Sequence, residues 1–171
     1  KELIDTAHKR GIAVIMDIVH SHAVKNENEG LGNFAGDPNQ YFYPGGRREH
    51  PAWDSLCFDY GKNEVLHFLL SNCKYWMEEF HFDGFRFDAI KYIYFNDTER
   101  SVDFWKWYMG ELKAYKPDIY CVGECWSNDN ETLQYAEALN CFNFQVAQGE
   151  GYISNAAKGK DINVYTKYVE K

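Results

Sequence analysis

Residues 82–88 read FDGFRFD, and this stretch predicts a β-strand that ends at an isolated carboxylate, Asp88. Three further apolar runs along the chain also predict strands, and helical patterns lie between them. Strands that alternate with helices form a parallel sheet with right-handed crossovers. The sequence therefore predicts an α/β fold, whose strands are residues 12–16, 82–87, 119–122 and 141–147.

The first predicted strand is followed by an unusually long connection. Residues 12–16 are apolar without interruption, which predicts a strand buried on both faces, as in parallel sheets. A polar, glycine-rich stretch from about residue 22 to residue 61 is too long for an ordinary connection, and we interpret it as a functional insertion. Apolar spacing predicts helices over residues 3–10, 65–80, 101–115 (with Ser101 as its N-cap), 130–139 and 161–171.

Composition excludes several classes of protein. The 171-residue chain has 18 Lys and Arg against 26 Asp and Glu, a net charge of −8. This acidic balance argues against a surface for nucleic acid or for anionic membranes, because no basic face is available to replace counterions. No apolar run reaches the roughly 20 residues of a membrane span. The aromatic fraction of 18% suits a packed interior or a cleft that stacks flat ligands such as sugars.

The five cysteines are scattered and contain no CxxC pair, which favours reduced, mostly buried thiols over a zinc site or a disulfide framework. Reduced thiols are typical of a cytoplasmic protein, and we expect that location. The chain opens in the middle of a helical pattern and without Met, so we expect it to be a piece of a longer protein.

Three of the predicted strands end in isolated carboxylates, Asp17, Asp88 and Glu124. A charge just beyond an apolar strand belongs at the carboxyl edge of the sheet, where α/β folds place active sites. Arg86 shares a strand face with Asp88, and we expect it to keep that carboxylate ionised. Trp126 follows Glu124 closely, and we expect it to raise the pKa of Glu124. An ionised and a protonated carboxylate roughly 5 Å apart suit retaining glycoside cleavage.

Other interpretations remain open at this level. A single Asp at a strand end commonly caps a helix or anchors a loop, and spacing alone does not separate glycoside cleavage from metal-assisted chemistry. His20 and His22 suggest a metal site only weakly, because they lie two residues apart with no third ligand. Within the insertion, the aromatic residues that could stack on a sugar are Tyr41, Tyr43 and Trp53.

Three motifs in this order resemble the first three sequence regions of the α-amylase superfamily, glycoside hydrolase family 13. They are DIVHSH at residues 17–22, GFRFDA at residues 84–89 and GECW at residues 123–126. The resemblance implies a partial (β/α)8 TIM barrel, in which the four predicted strands are about the third to the sixth with their helices. Residues 1–171 would then be a fragment of the catalytic domain, and residues 23–62 an inserted loop subdomain within it.

The resemblance also implies roles for individual residues. Asp88 corresponds to the catalytic nucleophile, Glu124 to the general acid/base, and Arg86 to the residue that orients the nucleophile. Asp17 and His22 correspond to the pair of the first region, with His22 on the sugar and Asp17 supporting the site.

Further substrate-binding positions follow from the same resemblance. Lys91 and Tyr92 occupy places where amylases often carry Lys-His in a plus-side subsite, so Tyr92 is a departure from the pattern. Trp126, the last residue of the third motif, is also expected to contact substrate.

The sequence departs from the family pattern in two ways. Family members carry a further His-Asp pair after the seventh strand, whereas the last histidine here is His81. The two halves also resemble different subfamilies, and the change falls near Gly84–Asp88. Residues 20–23, 58–61, 63–65 and 68–72 are similar to glycogen-branching enzymes, and residues 90–93, 104–107 and 117–126 are similar to hydrolytic α-amylases.

The resemblance implies retaining cleavage of α-1,4-glycosidic bonds in starch or glycogen by double displacement. One alternative is a 1,4-α-glucan branching enzyme, which transfers the cleaved chain to make an α-1,6 branch. A second alternative is a non-catalytic relative that binds α-glucan. The expected partner is an α-glucan polysaccharide or oligosaccharide. No cofactor is expected, since the calcium ion found in many amylases has no recognisable ligand cluster here.

Overall fold

The structure is a computed structural model that describes residues 1–50, 52–95, 97–125, 127, 129–139 and 142–143. A parallel four-stranded sheet has the order β1-β5-β6-β7. Strands β2 to β4 belong to a separate small sheet, so the strands of the main sheet lie side by side in chain order. This confirms the predicted α/β fold and parallel sheet. Its strands are β1 (Ile15–Ile18), β5 (Gly84–Phe87), β6 (Tyr120–Gly123) and β7 (Phe142–Asn143).

Four α-helices agree with the predicted helical patterns within a few residues. The third begins at Thr98 and not near Ser101, because the Asp97 side chain accepts a hydrogen bond from the backbone N–H of Arg100 and caps the helix there. Ser101 is instead fully buried inside the helix. The helix predicted over residues 161–171 lies outside the described residues. The helices are α1 (Glu2–His8), α2 (Asn63–Phe80), α3 (Thr98–Tyr115) and α4 (Asp129–Leu139).

The prediction that the first strand is buried on both faces is wrong. Strand β1 begins three residues later than predicted, and the Ile15 side chain is 38% exposed. Because β1 is an edge of the described sheet and pairs with β5 alone, one of its sides has no neighbouring strand. Its apolar residues therefore lie partly in solvent. Asp17, predicted just beyond the strand, lies within it.

The inserted segment, residues 23–62, contains a small antiparallel sheet of order β2-β4-β3. The Arg48 guanidinium donates to the backbone carbonyls of Pro38 and Gly32, and Lys62 Nζ donates to the carbonyl of Asn39. These cationic side chains hold a segment that is poor in regular structure. The strands are β2 (Ala23–Val24), β3 (Glu49–His50) and β4 (Ser55–Leu56).

Aromatic side chains join the insertion to the helices and the sheet in one hydrophobic core. Tyr60 packs against Phe104 of α3, and Phe87 of β5 packs against Trp105 and Tyr108. Within the described residues, Cys57, Cys73 and Cys121 are free thiols. None of the described helices combines the length and the apolar character that crossing a bilayer requires.

Candidate active site

The register of the parallel strands assembles a cluster of charged side chains at the carboxyl edge of the sheet. Asp17 of β1 lies directly opposite Arg86 of β5. Backbone pairing continues past the strands, because the N–H of Asp88 donates to Ile18 O at 3.1 Å and the N–H of Glu124 donates to Phe87 O at 2.9 Å. Both carboxylates therefore leave the sheet at the same level, as the sequence predicts.

Arg86 binds all three of the predicted carboxylates. Its Nη1 lies 2.9 Å from Asp17 Oδ1 and 2.6 Å from Asp88 Oδ1, and its Nη2 lies 2.9 Å from Glu124 Oε1. The Asp17 side chain is 68% exposed, whereas that of Glu124 is only 12% exposed. Because water screens exposed ion pairs strongly, the contacts to Asp88 and Glu124 carry most of the electrostatic coupling.

The side chains of Asp88 and Glu124 lie within hydrogen-bond reach of each other. Burial raises the pKa of Asp88 above its usual value, the Arg86 hydrogen bond lowers it, and the hydrogen bond and negative charge of Glu124 raise it. The expected effect of Arg86 is therefore present, but it is smaller than the combined effect of burial and Glu124. Two adjacent carboxylates repel each other when both are ionised, which is why Glu124 raises the pKa of Asp88.

Glu124 is oriented by a backbone donor as well as by Arg86. The N–H of Ala89 donates to Glu124 Oε2 at 3.1 Å, and the N–H of Ile90 donates to the carbonyl of Glu124 at 2.9 Å. Ala89 reaches this position in the left-handed region, with φ 47° and ψ 49°. An alanine is strained in this conformation, so its neighbours must hold the turn in place.

His22 lies on the other side of Asp88, with its Nε2 3.8 Å from Asp88 Oδ2. Burial lowers the pKa of His22, while the charge of Asp88 raises it and that of His50 lowers it. The net lowering favours a neutral imidazole at neutral pH. A neutral ring of this kind offers one donor and one acceptor to a sugar hydroxyl.

These groups face a cleft of about 550 Å³. One wall is aromatic: the Trp53 ring stacks on His50, with centroids 4.1 Å apart and planes 10° apart, and meets the edge of Tyr92 at 4.4 Å. Tyr92 stacks in turn on Phe95 at 5.0 Å. Flat apolar faces beside hydroxyl-binding groups suit a pyranose ring. The residues that line the cleft are His22, Trp53, Asp88, Ala89, Tyr92 and Glu124.

The remaining sequence candidates divide between the cleft and its surroundings. Tyr92 lines the cleft, whereas Lys91 belongs to the same helical turn and is not one of the lining residues. Tyr41 packs against Phe68 of α2 and Tyr43 lies under the Arg47 guanidinium, so neither faces the cleft. Trp126 lies outside the described residues.

Sequence reasoning missed two contributors to the site. His50 supports Trp53 from the insertion, and the Ala89 N–H holds Glu124. A local signal existed for the second, because a small residue directly after a strand-end carboxylate is compatible with a sharp turn. No signal existed for His50, because its place in the wall also depends on contacts with Tyr92 and Phe95, which are distant in the chain. Among the described residues, no group of three or more His, Cys, Asp or Glu side chains is arranged to hold a metal ion.

Comparison with known proteins identifies the class to which this fold and site belong. The family described as "Alpha amylase, catalytic domain" matches residues 39–169, which is most of the chain. The chain therefore belongs to the alpha-amylase catalytic-domain family. The match starts beyond the first motif, so it is independent of Asp17 and His22.

Curated relatives with high identity are glucan branching enzymes. The chain is 62% identical over 90 residues to the 1,4-alpha-glucan-branching enzyme of Yarrowia lipolytica, and 51% identical over 104 residues to the chloroplastic/amyloplastic 1,4-alpha-glucan-branching enzyme 2-2 of Arabidopsis thaliana. These matches cover 53% and 61% of this chain, and in each case 13% of the relative. The chain thus spans a small part of the relatives that it matches.

Similar solved structures include amylases. Eubacterium rectale Amy13B superposes with a TM-score of 0.74 at 22% identity, over 97% of this chain and 38% of that protein. The alpha-amylase from Geobacillus thermoleovorans, solved in complex with acarbose, has a TM-score of 0.60 at 24% identity, over 80% of this chain and 31% of that protein. At these identities the similarity establishes the fold: an α/β fragment that matches part of an amylase catalytic domain.

Proposed function

We propose that the protein containing this chain cleaves α-1,4-glucosidic bonds with retention and transfers the released chain to a glucan 6-hydroxyl, as a 1,4-α-glucan branching enzyme does. The observation that carries the proposal is the Arg86 guanidinium, which binds Asp88 and Glu124 through different nitrogens. This arrangement places two carboxyl groups beside one cleft, one for attack and the other to give and take a proton. Those are the groups that double displacement requires.

The first half of the reaction makes a glycosyl–enzyme ester. An Asp88 oxygen attacks the anomeric carbon and forms a C–O bond, while the bond from that carbon to the leaving glycosidic oxygen breaks. Glu124 gives its proton to the leaving oxygen and becomes a carboxylate. Glu124 carries the proton at the start of this step, and Arg86 stabilises the ionised Asp88.

The second half reverses these roles. Glu124 removes a proton from the acceptor hydroxyl, whose oxygen attacks the anomeric carbon and displaces Asp88. A glucan 6-hydroxyl as acceptor gives an α-1,6 branch, and water as acceptor gives hydrolysis. The chemistry at the carboxylates is the same in both cases, so the acceptor that reaches the cleft decides between the two activities.

Sequence identity to curated relatives supports transfer over hydrolysis. The branching enzymes reported above share 51–62% identity with this chain, whereas the amylase structures share 22–24%. Hydrolysis is the second candidate, because the amylase folds cover up to 97% of the chain. The acarbose complex of one such amylase supports an α-glucan as the substrate. We further propose that β1, β5, β6 and β7 form the arc of the third to sixth strands of a (β/α)8 barrel, the usual fold for such sites.

The two activities leave different products from amylose. The full-length protein is incubated with amylose, and reducing ends and α-1,6 linkages are measured in the same samples, the latter by proton NMR before and after isoamylase treatment. Transfer produces α-1,6 linkages with few new reducing ends, whereas hydrolysis produces reducing ends without α-1,6 linkages. If neither product forms and binding of maltooligosaccharides is retained, the result would contradict catalysis and favour the non-catalytic relative.

Matched carboxylate variants test the assigned roles. Asp88→Asn removes the nucleophile and is expected to lower turnover by several orders of magnitude, with affinity retained. Glu124→Gln is expected to lose much less activity on α-glucosyl fluoride than on amylose, because fluoride leaves without a proton. Equal losses on both donors would contradict the assignment of Glu124 as the acid.

A further inference from the structure

A buried hydrogen-bond network lies behind the segment that carries His22. The His20 side chain is fully buried, with its Nε2 3.2 Å from Asn72 Oδ1 of α2 and its Nδ1 3.1 Å from the Tyr108 hydroxyl of α3. The same hydroxyl lies 3.4 Å from Cys73 Sγ. The network therefore connects the end of β1 to two different helices.

One arrangement of protons satisfies every contact in this network. Asn72 Oδ1 only accepts, so His20 Nε2 carries a proton and donates it. The unprotonated Nδ1 then accepts from the Tyr108 hydroxyl, whose oxygen accepts from the Cys73 thiol. The His20 ring thus has a single tautomer and a single orientation, as its two partners require.

The network stays uncharged over the physiological pH range. Burial lowers the pKa of His20 to about 4, although the Asn72 hydrogen bond opposes this. Burial raises the pKa of Cys73 to about 12 and that of Tyr108 well above its usual value. A neutral histidine that remains neutral is suited to hold geometry and not to transfer protons.

The backbone of the same segment is fixed from another direction. The Tyr60 hydroxyl, fully buried, lies within hydrogen-bond distance of the carbonyls of His20 and Ser21, at 2.9 and 2.8 Å. The Tyr94 hydroxyl in turn donates to the carbonyl of Tyr60 at 2.7 Å. Both the ring and the main chain that precede His22 are therefore held by buried contacts.

We propose that His20 is a positioning residue, which acts with Tyr108 and Asn72 to hold His22 against Asp88. It touches neither the cleft nor the carboxylates, and its effect passes through the intervening Ser21 to His22. The inference rests on the proposed function, because it assigns His22 a contact with the sugar at the reacting carbon. A purely structural role is the alternative, and it predicts a loss of stability without a specific loss of turnover.

A double-mutant cycle separates the two roles. Tyr108→Phe removes one oxygen and keeps the ring that packs against Phe87. It is made in the full-length protein and in its His22→Ala variant. Tyr135→Phe is the matched control, because Tyr135 is equally buried and its hydroxyl bonds to Ser101 and Thr98, away from His20.

The expected result is a fall in kcat of about tenfold for Tyr108→Phe with KM changed less than about twofold, which corresponds to about 1.4 kcal/mol of transition-state stabilisation. In the His22→Ala background the same substitution is expected to lower kcat less than about twofold. Asn72→Leu, which removes the other partner of His20, is expected to repeat this pattern. Circular dichroism on every variant establishes that each one is folded.

Three results would overturn the inference. An unchanged kcat for both Tyr108→Phe and Asn72→Leu would show that the network does not act on catalysis. An equal loss with and without His22 would show that the effect bypasses that residue, and an equal loss for Tyr135→Phe would show that it is general. A wild-type protein without glucan activity would contradict the proposed function, and this inference with it.

Discussion

Replacing Asp by Asn at the two ends of β5 should change the stability of the protein in opposite directions. Asp83 precedes the strand and Asp88 follows it. Burial alone would raise the pKa of Asp83, but hydrogen bonds with the N–H of Val14 and with His8 lower it below its usual value. The pKa of Asp88 is raised. We predict that Asp88→Asn stabilises the protein at neutral pH and that Asp83→Asn destabilises it.

The signs follow from proton linkage. A carboxyl whose pKa is raised by folding keeps its proton in the native state after the unfolded chain has released it, so stability falls as pH rises through that interval. Replacing Asp88 by a neutral amide removes this loss. A carboxyl whose pKa is lowered by folding, as in Asp83, adds stability above the unfolded pKa and loses it as pH falls through the folded value.

The contacts set the expected magnitudes. Asp83 Oδ2 accepts from the Val14 N–H at 2.7 Å and lies 2.8 Å from His8 Nε2, and an amide oxygen would weaken such bonds by about 1 kcal/mol. At Asp88 the amide weakens the Arg86 contact by about 1 kcal/mol. In place of the repulsion between two carboxylates, its N–H donates to Glu124, a bond to a charged group that contributes about 2 kcal/mol. The net gain for Asp88→Asn is about 1 kcal/mol.

Thermal denaturation of the two variants and wild type measures this difference. The two variants are expected to differ by about 2 kcal/mol at pH 7.5, or about 4–8 °C in Tm for a domain of this size class. The difference should narrow as pH falls below about 4, where the carboxyls of the unfolded chain are protonated. Asp88→Asn melting below wild type at pH 7.5, alongside Asp83→Asn, would refute the electrostatic reasoning for this site.

Two further substitutions test the packing of the sheet and the wall of the cleft. Gly84→Ala would place a methyl group against the carbonyl of Tyr120. We therefore expect the free energy of unfolding to fall by about 3 kcal/mol or more and little soluble protein to form. Soluble yield and Tm near wild type would show that the strands tolerate a side chain there. Trp53 forms an aromatic face of the cleft, and the residue is 40% exposed. We expect Trp53→Ala to raise KM about tenfold, with kcat and Tm little changed. An unchanged KM for maltooligosaccharides would show that Trp53 does not bind the sugar.

The charged centre of the site could be predicted from the sequence because it depends on strand geometry. A parallel sheet with sequential neighbours brings successive strand ends to one edge, and side chains two residues apart share a face. These two rules place Arg86 beside Asp88 and bring Glu124 to the same edge. The order of strands does not give the register that sets Asp17 opposite Arg86, since the sequence places Asp17 just beyond its strand.

The properties that the sequence did not reveal depend on contacts between distant residues. The exposure of Ile15 follows from the position of β1 at the edge of the sheet, which its apolar run cannot indicate. The raised pKa of Asp88 depends on its burial and on its contact with Glu124, 36 residues away. A pattern that identifies the Arg86 neighbour finds one contribution to that pKa and misses burial, which is larger, and the contact with Glu124.

The two halves of the chain are physically interdependent, although their motifs resemble different subfamilies. Buried polar groups in one half find their partners in the other: Tyr108 meets His20, and the Tyr94 hydroxyl donates to the carbonyl of Tyr60. A buried polar group without its partner costs about 1–3 kcal/mol. The halves must therefore have been matched to each other, whatever the origin of each.

The aromatic wall of the cleft is also built from both halves of the chain. Its composition is relevant to the choice between water and a sugar hydroxyl as acceptor. Trp53 comes from the half that resembles branching enzymes, Tyr92 comes from the half that resembles amylases, and their rings meet at 4.4 Å. In the proposed mechanism, Asp88 and Glu124 act in the same way on water and on a sugar hydroxyl. Discrimination between the two acceptors must then depend on groups that position a second glucan chain or exclude water, and the aromatic wall has the shape for this role. We therefore expect Trp53→Ala to shift the products from α-1,6 linkages toward reducing ends, and an unchanged product ratio would place acceptor selection elsewhere in the protein.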